Sequence, residues 1–200
     1  MNKRYQVGLQ QFEHVLSSPH PWLFKGSNLL GVAKVLLERL WDDRKKLNEK
    51  LKTKTEFKAT DPDSHLLNTA HSMEDQILLL VGFAYENYLR AIWIKKSGTK
   101  NYEDTKIPNE WPSYQIDIFF DRLSIEIEKE EREFLKLLSE FVIWKGRYPV
   151  PRNKAENGNS WGKGTSTSIF SKNFPGTCEW PDVMISTMNK LAVALKNESS

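Results

Sequence analysis

Apolar residues recur along most of this chain at intervals of three and four, the spacing that lines one face of a helix. Val7, Leu9, Phe12, Val15 and Leu16 form a first stripe over about residues 5–16. Pro19 and Pro21 are expected to stop it, since each lacks a backbone donor and restricts the residue before it. A second stripe, Leu29, Leu30, Ala33, Leu36, Leu37, Leu40, Leu47 and Leu51, predicts a helix capped at Ser27 or Asn28. Its distal half, DDRKKLNEKLKTK, is charged all round except for the leucines and is expected to project from the body. Residues 53–64 read as a loop that turns at Asp61-Pro62-Asp63. From about His65 to Lys96 the pattern changes, because DQILLLVGFAYENYLRAIWIKK is apolar on more than one face. A helix of that kind is central and packed by neighbours on several sides, and Gly98 offers it a stop.

Residues 98–112 form a polar loop ending in Trp111-Pro112. The following SYQIDIFFDRLSIEI is read as a short helix, although Ile116, Ile118, Ile125 and Ile127 alternate as a strand would. Glu128 to Lys145 predicts a further helix with Phe134, Leu135, Leu138, Phe141, Val142 and Ile143 inward and Gly146 as terminator. A stretch rich in Gly, Ser, Asn, Thr and Pro then runs over about residues 149–180, long for a connection inside a compact domain. The last helix has Pro181 in its first turn and Val183, Ile185, Met188, Leu191, Ala192 and Leu195 inward. The sum is an all-α chain: a single domain over residues 1–200, built as an irregular up-down bundle of five to six helices.

Composition narrows the class. Hydrophobic residues make up 39% and aromatic ones 12%, enough apolar surface for a real core, which excludes wholesale disorder. The 29 basic and 26 acidic residues leave a net charge of +3, which permits a nucleic-acid partner without demanding one. The one cysteine, Cys178, excludes an internal disulfide and fits a reduced, cytoplasmic setting. MNKRYQVGLQQFEHVL lacks an apolar signal core. The longest apolar runs, residues 77–84 and 141–144, are far shorter than the roughly 20 residues of a spanning helix. Neither secretion nor a membrane is expected.

Three pieces, in order, resemble the bacterial and archaeal HEPN-type helical bundles. The first is Gly82-Phe83-Ala84-Tyr85-Glu86-Asn87-Tyr88-Leu89-Arg90, a helix holding a glutamate followed four residues later by a base. The second is the helix over residues 135–144, and the third is Trp144-Lys145-Gly146-Arg147-Tyr148-Pro149-Val150-Pro151. Together they cover about residues 70–151. The resemblance implies a bundle of four or five helices, a homodimer, and a role in nucleotide or RNA biology such as defence or toxin–antitoxin systems. It also implies that catalytic members cut RNA without a metal, using an arginine followed after four to six residues by a histidine. Here His14, His20, His65 and His71 all precede Arg147, so that pair is absent. Without an imidazole the usual proton carrier near neutral pH is missing. The expectation is therefore a non-catalytic module that binds a nucleotide, an RNA or a protein partner. An atypical metal-independent ribonuclease using Glu86 and Arg147, or a plain oligomerising protein, are the alternatives.

The candidate chemistry follows from charge and spacing. Glu86 and Arg90 share a helix face, either as an internal pair or with Glu86 set against Arg147 in a cleft. From Trp144 to Lys172 six Lys or Arg face one acid, Glu156, a local charge of +5 inside a chain of +3. In that run Arg147, Arg152, Lys154 and Lys163 could meet phosphates while Tyr148 and Trp161 stack on bases, or the run could be a solvated loop pinned by Trp161. Gly158 to Thr165 has the wrong spacing for a phosphate-binding loop and follows no strand. His71, Glu74 and Asp75 share a face but read as a polar first turn, and Cys178 has no neighbouring base in sequence. No metal and no cofactor is expected.

Overall fold

The computed structural model describes residues 15, 17–52, 64–97, 115–145 and 180–197. Among them there are five α-helices and no strand: α1 (Pro19–Leu51), α2 (Ser64–Ser97), α3 (Ile116–Arg122), α4 (Lys129–Glu140) and α5 (Trp180–Asn197). A π turn, Phe141–Lys145, extends α4. The all-α bundle expected from the periodicity is the observed fold. The first stripe, over about residues 5–16, and the long run at 149–180 lie outside the described residues, as do Gly98 and Gly146.

The second helix begins earlier than expected. Neither proline stops anything: α1 starts at Pro19 and carries Pro21 in its first turn. The first four amides of a helix have no intrahelical acceptor, so prolines there cost no hydrogen bond. Ser27 is therefore inside the helix rather than its cap, and its hydroxyl meets the Tyr88 hydroxyl at 3.0 Å. Ala33 and Leu40 are buried on the side that faces α2. Gly26 lies against Tyr88 and the Ala84 carbonyl, and Arg44 pairs with Glu74, so α1 and α2 run antiparallel. The distal half of α1 accordingly stays on the body at least as far as Arg44. Buried Asp43 and Glu74, each bound by an arginine, hold it there where the sequence offers few apolar contacts. The side chains of Leu47 and Leu51 are outside the described set.

α2 is the centre of the molecule. Ile77, Leu78, Val81, Ala84, Tyr85, Leu89, Ala91 and Ile92 are buried around its circumference. It packs on α1, α3, α4, the π turn and α5, which is why its sequence is apolar on several faces. The segment Met73–Ser97 is long and apolar enough to cross a membrane by composition, and 67% of that stretch is buried against the rest of the protein. Burial within the bundle accounts for its apolarity without a bilayer.

α3 is one short helix, followed by a turn at Leu123 and Ser124. Ser124 adopts φ 55°, and its amide donates to the Asp121 carbonyl. The alternating isoleucines are split between two environments: Ile116 is buried in the helix, whereas Ile125 and Ile127 lie on the extended run beyond it. α4 buries Phe134, Leu135 and Leu138 completely, each a contribution of about 1.5–3 kcal/mol. The expected inner face holds as far as Val142, but Ile143 is exposed. It follows Lys136 by seven residues and Glu140 by three, and both of those face solvent. On α5 two assignments reverse, with Ile185 and Ala192 exposed and Thr187 buried. Thr187 can take an inner place because its hydroxyl is 2.9 Å from the Val183 carbonyl and 2.7 Å from the Tyr85 hydroxyl. Trp180, at the start of α5, is buried.

Candidate functional site

Glu86 stands on the face of α2 that turns away from α4, buried to 6% exposure. A carboxylate so placed needs a partner, since an isolated buried charge costs several kcal/mol, of the order of those of an unpaired ion. Arg90, one turn on, supplies it through an ion pair and hydrogen bond from its guanidinium to Glu86 Oε1. The Arg90 guanidinium carbon also lies 4.9 Å from the ring centroid of Trp22, within cation–π range. Trp22 is fixed in turn by donating its indole N–H to the Val15 carbonyl at 2.7 Å. It packs with Trp93 against buried Ile94. The start of α1 thus covers the Glu86–Arg90 pair. Next to it, Asn87 donates to the Phe83 carbonyl at 2.6 Å.

This arrangement has a chemical consequence. A general base must offer a lone pair to a substrate proton at hydrogen-bond distance. Glu86 instead spends its Oε1 on a guanidinium inside the bundle, and Arg90 serves a carboxylate and an indole at once. Of the two arrangements open from the sequence, the structure places Glu86 with Arg90. Arg147 lies outside the described residues, and so do Tyr148, Arg152, Lys154, Trp161 and Lys163. Cys178, His14 and the side chains of His65 and His71 are also outside them, while His20 is exposed. Glu74, weighed with His71 as a metal ligand, is bound by Arg44. Among the described residues no group of three or more His, Cys, Asp or Glu side chains is placed to hold a metal.

A second polar centre, not singled out from the sequence, joins α4 to α5. Glu131, buried, accepts from Ser186 Oγ at 2.7 Å on one oxygen and from Lys190 Nζ at 2.6 Å on the other. It also accepts the Glu128 amide at 2.7 Å, reaching back over the first turn of α4 as in a capping box. Burial alone would push its carboxyl up, but the hydrogen bonds from Lys190, the Glu128 amide and Ser186 together hold it below the usual range. Tyr85 sits nearby, fully buried, and donates to the Met184 carbonyl at 2.8 Å. Burial raises its phenol strongly, the Thr187 hydrogen bond opposes that, and the charge of Glu131 adds to it. The spacing of Glu128 to Glu131 and of Ser186 to Lys190 is legible in the sequence, but nothing in either helix says that they meet. Elsewhere Arg132 grips Asp121 through two bonds of 2.7 and 2.8 Å, which lowers the Asp121 carboxyl. Lys95 and Lys96, at the end of α2, donate to the Leu195 and Leu123 carbonyls.

In comparisons with protein families, curated proteins and solved structures, nothing matches the chain.

Proposed function

We propose that this chain is a non-catalytic, HEPN-like helical module that works by binding, with RNA or a nucleotide as its ligand. The observation that carries the non-catalytic part is the Glu86–Arg90 pair under Trp22. The motif glutamate of the resemblance holds the bundle together instead of facing a substrate, and no histidine follows Arg147 to shuttle a proton. The binding part rests on the sequence from Trp144 to Lys172, where basic residues alternate with Tyr148 and Trp161. Lysines and arginines would meet phosphates while the two rings stack, a combination that favours single strands and weakens steeply with salt.

The test uses the full chain and a fluorescein-labelled single-stranded RNA. Fluorescence anisotropy should show binding that falls as salt rises and weakens in Arg152→Ala/Lys163→Ala. The RNA should stay intact in EDTA at high protein concentration. Cleavage in EDTA that is lost in Arg147→Ala would overturn the non-catalytic reading. Absence of binding at low salt would overturn the ligand.

A further inference from the structure

We infer that the outer face of α1 is a self-complementary surface that pairs with a second copy of this chain in antiparallel fashion. The inference goes beyond the proposed ligand and does not depend on it. α1 buries one side against α2, and its other side carries large apolar residues in water. Phe24 is 71% exposed, Val35 64% and Trp41 46%, with Val32 also exposed. On a helix, Phe24, Gly31, Val35, Glu38 and Asp42 fall in one row, with Lys34 and Trp41 along one flank. Gly31 lies in the middle of that row, and a β carbon there would find nothing within 4 Å. A second helix can therefore come close at this point.

Charge selects the occupant and the register. Lys34 and Glu38 lie 4.0 Å apart on the exposed face, a long and weak contact within one helix. A two-fold axis crossing α1 at the level of Leu36 relates position 34 of one chain to position 38 of the other. That single operation sets Lys34 against Glu38 of the second copy, twice. It also brings the two Val35 side chains together beside the axis and lays each Trp41 over the open surface at the other Gly31. A parallel arrangement would set Lys34 against Lys34 and Glu38 against Glu38, which like charges disfavour. One antiparallel register thus satisfies the charged, apolar and small positions of the face together, the signature of an isologous contact. A contact of two helices is at the small end of specific interfaces, so association should be reversible and dependent on concentration.

The test is sedimentation equilibrium of the full chain across a wide concentration range, with the RNA ligand absent. A monomer–dimer equilibrium is expected. Val35→Glu, which sets two carboxylates beside the axis, should weaken the dimer by roughly tenfold or more while far-UV circular dichroism stays unchanged. Lys34→Glu and Glu38→Lys should each weaken it, and the double exchange should restore it, because the exchange rebuilds both intermolecular pairs with signs reversed. A chain that stays monomeric at every concentration overturns the inference and assigns the face to another protein. A dimer that Val35→Glu leaves intact overturns it as well. Single charge variants that are not rescued by the double exchange overturn the register.

Discussion

Two glycine-to-alanine changes in this bundle should have opposite signs, and the contrast tests how closely α2 approaches the end of α4. At Gly82 a β carbon would stand 2.5 Å from Val142 Cγ2 and 3.2 Å from the Leu138 carbonyl oxygen. Ordinary carbon–carbon contacts begin nearer 3.5 Å, so about 1 Å must be found by something moving. Val142 is buried and β-branched, hence stiff at χ1, and Leu138 O is helix backbone. Neither gives easily, and overpacking of this kind costs about 1–3 kcal/mol. Against it stands the gain in helix propensity from glycine to alanine, about 1 kcal/mol. Gly82→Ala should therefore lose about 1–2 kcal/mol on balance, a Tm lower by roughly 2–8 °C for a chain of this size. Gly31→Ala, in open space on α1, should keep the propensity gain and rise by roughly 2–4 °C. The assay is urea and thermal unfolding followed by circular dichroism, in protein dilute enough to be monomeric. In the double variant Gly82→Ala/Val142→Ala the new methyl partly fills the space the valine leaves, so its cost should be less than the sum of the singles. If Gly82→Ala stabilises as much as Gly31→Ala, the close approach of α2 to the π turn is wrong.

Three further outcomes follow from the buried polar pairs. Arg90→Met strips Glu86 of its partner inside the bundle and should cost about 3–5 kcal/mol, while Glu86→Gln/Arg90→Met should recover much of it; equal losses would mean the pair is not coupled. Glu131 is held below its unfolded value, so its stabilising contribution is present above that value and disappears as pH falls through the lower, folded one. The advantage of wild type over Glu131→Gln should thus be full at neutral pH and shrink below about pH 4, and a gap constant from pH 7 to pH 3 would contradict the assignment. Ser139 Oγ accepts the buried Ile116 amide at 2.9 Å, so Ser139→Ala orphans that donor; a loss of about 1–3 kcal/mol in urea unfolding is expected, and none at all would show that the α3–α4 junction does not need it.

What the chain's pattern made legible is what burial writes directly into sequence. The many-sided apolarity of α2 marked it as central because a helix surrounded by neighbours has no face to spare for polar residues. The i, i+4 spacing of Phe134, Leu138 and Val142 likewise marked the inner side of α4. The errors fall where polar groups take apolar places or prolines take unobjectionable ones. Pro19 and Pro21 look like breakers until the helix is seen to begin on them. Thr187 looks like a surface residue until Tyr85, 102 positions earlier in the chain, brings a hydroxyl to it. The charged second half of α1 looks like a projection because the carboxylates that dock it, Asp43 and Glu74, read as solvent groups in one dimension.

The same limit governs the candidate site. Spacing alone put Glu86 and Arg90 on one face, and that much is local geometry. Whether the pair is open or closed depends on Trp22, which belongs to another helix and arrives only because α1 starts at Pro19 rather than near Ser27. Had α1 begun where its leucine stripe begins, Trp22 would belong to a connection and the Arg90 side chain would border it unroofed. The two prolines therefore bear on function as well as on fold, since by permitting the helix to start early they extend α1 over the motif glutamate. A chain that kept Glu86 for catalysis would need this end of the bundle uncovered, and α1 carries its cover in its first turn.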